Sequence, residues 1–126
     1  MAIPGSSDGQ EVLRRGAIVT QSNTGWTSFK FDGTSPSTHT ASYVVPTNHI
    51  ITILSIIVCN QTANAETFNL NDNAGYLLDN QPLAGRATFI WAERWNLKGG
   101  EKLQILSPRA GSDLDVLYSY LDQDWS

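Results

Sequence analysis

Charge is scarce in this chain. Asp, Glu, Lys and Arg make up 16% of its 126 residues, where about a quarter is usual for a globular domain. Uncharged Asn, Gln, Ser and Thr fill the gap, which favours surfaces that face other protein. The balance that remains is acidic, a formal −4 at pH 7. That argues against nucleic-acid binding, because phosphate neutralisation needs clustered Lys and Arg. The nearest approach to such a cluster is Arg14-Arg15, which reads as a solvated turn. Cysteine is nearly absent, and with Cys59 alone no intrachain disulfide can form. Its place at the end of the apolar run Ile50 to Val58 predicts a buried, inert thiol.

Long apolar runs are missing too. The longest is about nine residues and is broken by Thr52 and Ser55, against the roughly 18 or more of a membrane helix. Met1 to Gly9 shows neither a basic start nor an apolar core, so synthesis in a cytoplasm without an export signal is expected. No GxSxG, P-loop, GxGxxG or HExxH motif is present. His39 and His49 lack further ligands for zinc, so a structural or exposed role is expected for both. Asn69, Asn71, Asn73 and Gly75 alternate like the start of a calcium loop, but neutral amides stand where carboxylates belong and no Glu closes it. A plain hairpin turn is the better reading. The pairs Asp113/Asp115 and Asp122/Asp124 read as exposed charges rather than an acid/base couple. No catalytic residue, metal or cofactor is predicted, and the chain is not expected to be an enzyme.

What is present is strand after short strand. Ile18-Val19-Thr20 favours a first strand over about residues 12–21, in preference to a short helix from Gln10 to Arg15 stopped by Gly16. Trp26, Phe29 and Phe31 mark a second strand, and Pro46 after Tyr43-Val44-Val45 signals an edge or a turn. Ile50 to Cys59 is the expected centre, apolar on both faces, as in a strand covered on two sides or lying in a subunit interface. Thr67 to Leu70 alternates cleanly, and Tyr76 to Leu78 is a short strand. Ala87 to Leu97 reads as a strand kinked near Glu93, with Phe89, Trp91, Trp95 and Leu97 on one face. Lys102 to Leu106 and Leu114 to Leu121 complete about eight or nine strands with frequent turns. The expected fold is all-β, an antiparallel, jelly-roll-like β-sandwich over residues 13–126 with an extended N-terminal arm over 1–12.

Of the four tryptophans, Trp26, Trp91 and Trp95 suit a core. Trp125 is penultimate, where chains usually fray, so it is expected to dock either on its own domain or on a neighbour.

Several segments together carry a family likeness. They are Asn48 to Asn60, Ala65 to Leu70, Leu77 to Leu83, Ala87 to Trp91, Leu97 to Leu103 and the closing Ser119 to Trp125, with Glu11 to Gly16 as an opening. In this order they resemble small virion structural proteins of tailed bacteriophages. The resemblance implies a non-enzymatic particle component located in the virion, first of all a cement or decoration protein on the capsid surface. Its implied partners are the major capsid protein or another virion protein, and further copies of itself, a homotrimer being favoured; no nucleic acid or membrane is implied. Capsid contacts are expected at Ile3, Pro4, Arg14 and Arg15, and self-association at Tyr118, Tyr120 and Trp125. Head-fibre, neck or tail pieces and carbohydrate-binding adhesion modules are the alternatives.

Overall fold

Short runs of β-branched and aromatic residues, cut by Asn, Gly and Pro, leave this chain little to build but strands. The computed structural model describes residues 10–19, 26–34, 43–72, 75–106 and 114–124. Ile3, Pro4, His39, Asp113 and Trp125, and with them the first nine residues of the expected arm, lie outside the described residues.

The strands are β1 (Gln10–Val19), β2 (Thr27–Ser28), β3 (His49–Asn60), β4 (Glu66–Asp72), β5 (Tyr76–Leu83), β6 (Thr88–Trp91), β7 (Trp95–Lys98), β8 (Leu103–Leu106) and β9 (Leu114–Asp124). They form two sheets, β1-β9-β3-β6 with β7 also on β3, and β2-β8-β4-β5. Every pairing is antiparallel. Taken as one interrupted strand, β6 and β7 leave four strands to each sheet, and the chain alternates between the sheets in jelly-roll order. The expected all-β sandwich is the fold. Among the described residues no helix is long and apolar enough to cross a membrane.

The interruption has a physical partner. β7 pairs with Ile50 to Ile53 and β6 with Ile56 to Cys59. Between those stretches β3 carries a register shift against β9, at Ile53/Ser55. One extra residue resets the alternation, so Ile51 and Ile53 point inward before it and Ile56 and Val58 after it. The kink expected near Glu93 falls in the gap opposite this bulge.

Among the described residues only one face of β3 is closed. Ile51, Ile53, Ile56 and Val58 are buried against the second sheet, whereas Thr52, Leu54, Ile57 and Cys59 are half-exposed. Cys59 is therefore not the buried thiol expected: Val58 and Asn60 take the inward positions on either side of it. Asn60 uses its buried amide to tie the next turn, donating to the Asn64 and Ala84 carbonyls and accepting from the Thr62 backbone N–H at 2.9 Å.

Other boundaries moved. The second strand shrinks to Thr27–Ser28, with Phe29 and Phe31 beyond it in the core. Strand β5 runs on through Pro82, which an edge position permits. Tyr43 to Pro46 is not a strand. Val45 exchanges backbone hydrogen bonds of 2.8 Å with Gly100 and Glu101 across the β7–β8 turn, where Gly100 adopts a φ of 86°. β4 and β5 pair as the expected hairpin, and Gly75 N–H donates to the Asp72 carboxylate at 2.9 Å. Arg14 and Arg15 do not form a turn: both lie within β1, facing Tyr120 and Ser119 of β9.

Candidate functional site

β9 places its odd and even residues in two different environments. Leu114, Val116, Tyr118, Tyr120 and Asp122 point between the sheets and are buried. The two tyrosines expected at a self-association surface are thus core residues, a correction that follows from the phase of the strand. Tyr118 meets Phe29 edge-on at 4.8 Å between ring centroids, and Tyr120 meets Phe31 at 5.0 Å. Their hydroxyls stay satisfied: Tyr118 donates to the Lys30 carbonyl at 2.7 Å, and Tyr120 accepts from the Gly33 N–H at 3.0 Å. Gly16, opposite Tyr118 on β1, makes room for this packing, since a side-chain carbon there would collide with the tyrosine ring. Burial raises the pKa of Tyr118 and Tyr120. Tyr43, beside Phe31, is pushed up to about 12 by burial and by the nearby Asp32 carboxylate.

The next inward position on β9 carries a carboxylate. Asp122 is buried rather than exposed, and a histidine and an arginine meet it from the neighbouring strands. His49 Nδ1 at the start of β3 lies 2.8 Å from one oxygen, and Arg14 Nε on β1 lies 3.6 Å from the other. His49 Nε2 also approaches Asp124 at 3.6 Å. The structural role expected for His49 is this one. The cluster clamps three adjacent strands at one end of the sheet, and its His49 and Arg14 side chains are already engaged. It also claims Arg14, an expected capsid contact, for the chain's own structure. Among the described residues no group of three or more His, Cys, Asp or Glu is placed to hold a metal ion.

The outward face of the same sheet is different. Ala17, Leu117, Ile57 and Ile90 stand in one cross-strand row over β1, β9, β3 and β6. Ile90 is 63% exposed and Leu117 53%. Arg15, Ser55 and Ser119 flank a shallow depression of about 550 Å³ beside this row. Leu13, on the same face of β1, is 67% exposed. Of the contact residues expected from sequence, Arg15 alone among those described presents its side chain here. The leucines and isoleucines of this face were not singled out from sequence, because adjacent apolar residues such as Val12-Leu13 and Ile56-Ile57 do not say which one faces out.

A second exposed group lies at the β4–β5 hairpin. Tyr76 stands 6.1 Å from Trp26 between ring centroids, and Trp95 donates its indole N–H to Asp72 at 3.0 Å.

No family model matches the sequence, and no curated protein matches it. Among solved structures, the chain is similar to one in the acid-stable capsid structure of Helicobacter pylori bacteriophage KHP30, with 9% identity, 94% of each chain covered and a TM-score of 0.46. It is also similar to a family 35 carbohydrate-binding module from Clostridium thermocellum, with 11% identity over 90% of this chain and 97% of that one and a TM-score of 0.38. Both likenesses are remote, and neither assigns a partner or a ligand to this chain.

Proposed function

We propose that this chain is a non-enzymatic structural protein of a tailed-bacteriophage particle, working as a capsid cement protein that bridges major capsid subunits as a homotrimer. The observation that carries this reading is the outward face of the first sheet. A sandwich whose inner space is closed by Ile53, Phe31 and Tyr120 still exposes Leu13, Leu117 and Ile90. Leu117 and Ile90 stand in one cross-strand row with Ala17 and Ile57, and an exposed apolar row of this kind favours a contact surface. The low charge of the chain and the ordered motifs of its sequence support the same reading. The N-terminal residues, with Ile3-Pro4 as their apolar anchor, would contact the shell, and Arg15 would meet it from β1.

The test has two arms. Quantitative mass spectrometry of purified virions should find this protein at hundreds of copies per portal if it cements the shell, and at a few tens or fewer if it belongs to the neck or tail. Particles lacking it should rebind the intact protein in sedimentation, and a chain without residues 2–10 should bind more weakly while staying folded. No binding by the intact protein would overturn the cement role.

One observation favours a second reading. Tyr76 paired with Trp26, and Trp95 on Asp72 near the same hairpin, offer flat apolar rings beside a carboxylate, the combination on which sugars stack and hydrogen-bond. A carbohydrate-binding adhesion role predicts glycan-array binding that is lost on Tyr76→Ala.

A further inference from the structure

The outward face of the first sheet carries a polar row between two apolar ones. Arg15 on β1, Ser119 on β9 and Ser55 on β3 stand opposite one another across three strands. On one side lies the pair Leu13 and Leu121, and on the other the row of Leu117, Ile57 and Ile90. Each row is two residues from the next, about 7 Å along the strands. The polar row owes its third member to the bulge in β3. Ser55 stands two residues after the inward Ile53, and the register shift between them turns it outward, opposite Ser119. The depression of about 550 Å³ lies on this row.

The row is rich in donors. Among the described residues Arg15 makes no ion pair. Ser55 and Ser119 share one hydrogen bond of 2.8 Å between their hydroxyls, which leaves the second hydroxyl proton to donate elsewhere. Two rows further out the charge reverses, to Glu11 at one end of the face and Asp115 at the other. We propose that this face receives an extended segment of another particle protein, with a single Asp or Glu on the polar row and apolar residues two positions before and after it.

An extended segment presents every second residue to the sheet beneath it, at the spacing of these rows. Its carboxylate meets the Arg15 guanidinium and a serine hydroxyl, while its apolar neighbours cover Leu121 on one side and Leu117 with Ile57 on the other. Packed sheets cross at about 30°, and because each row spans more than one strand the match survives that tilt. Glu11 and Asp115 repel further carboxylates four positions away in either direction, so the face selects one acidic residue in an apolar setting over an acidic tract. The pattern reads the same both ways and fits in either direction. The inference rests on the reading of this face as a contact surface and names the chemistry of what it meets. It is tested on the isolated protein, so it and the shell-binding role can fail separately.

Titrating the isotope-labelled intact chain with the peptide acetyl-Val-Thr-Glu-Thr-Val-amide should move the backbone amide resonances of Arg15, Ser55 and Ser119. Exchanging the peptide's Glu for Gln removes one charge-assisted pair and should weaken binding about fivefold. Arg15→Gln should weaken binding of the Glu peptide by the same factor. Against that variant the Gln peptide should lose little more, since the two changes delete one interaction. A peptide of five Glu should bind less well than the single-Glu peptide. Arg94→Gln, in the gap between β6 and β7, should bind as the intact chain does, and the dispersion of each variant's spectrum checks its fold. No movement of the three amides, equal binding of the Glu and Gln peptides, additive losses in the cycle, or preference for five Glu would each overturn the proposal.

Discussion

The two faces of the first sheet are built by the same strands from similar residues, yet they obey different constraints. On the inner face, Tyr120, Ile53 and Ile51 have no exposed surface, and even the polar positions are matched, Asp122 by His49 and Arg14. On the outer face one residue away, Leu117 lies between Asp115 and Ser119 in its exposed phase. Packing explains every residue of the first set. It does not account in the same way for Leu13, Leu117 and Ile90 on the second, which stay more than half exposed. The difference separates what the fold requires from what remains for assembly.

The comparison breaks hardest at Ile53. Ile53→Asp puts an unpaired carboxylate where exposure is nil, and a buried unpaired charge costs several kcal/mol against a total stability of roughly 5–15. Loss of soluble folding is expected, read as expression and a melting curve; a normal melting temperature would show that the inner face is not closed. Ile57→Asp, four residues on but facing outward, should fold.

A milder break comes from alkali. Tyr43, Tyr118 and Tyr120 all have folded pKa values raised above that of an exposed tyrosine. The protonated form is the one that the folded state holds, while the unfolded chain loses its phenolic protons near pH 10. Their contribution is therefore intact below about pH 10 and declines as pH rises through 12. Melting temperatures from pH 8 upward should hold level and then fall beyond about pH 10. Tyr118→Phe removes one of the titrating groups and should flatten that fall, at the expense of the hydrogen bond to Lys30. A fall no steeper in the intact chain than in the variant would remove Tyr118 from this account.

Alternation and turn residues made most of the strands legible in the sequence, because each depends on neighbours two to five positions away. Thr67 to Leu70, the turn after Asn71 and the break near Glu93 are of this kind. What was not legible depends on distant chain. The shift at Ile53/Ser55 is visible only against β9, and it alone decides that Ile56 faces in and Ile57 out. Asp122 looked like an exposed charge because its partners, His49 and Arg14, come from two other strands. Tyr118 and Tyr120 looked like contact residues because they stand near the chain end, but phase, not position, sends them inward. The outer-face leucines went unnoticed for the same reason.

The smallest expected effect on stability sharpens the comparison most. Ile90→Ser and Leu117→Ser change residues that are more than half exposed, and substitutions at such sites usually move stability by less than about 0.5 kcal/mol. The melting temperature of the double variant should therefore stay within a few degrees of the original, as expected for a domain of this size. If the face is a contact surface, the same variant should bind less well to particles that lack this component, measured as the bound fraction after sedimentation. The two readouts move independently, which makes the result decisive. A large loss of stability would mean that Leu117, Ile57 and Ile90 form a second small core serving the fold. Unchanged stability with unchanged binding would mean that the apolar row serves neither fold nor shell, and the cement reading would lose the observation that carries it.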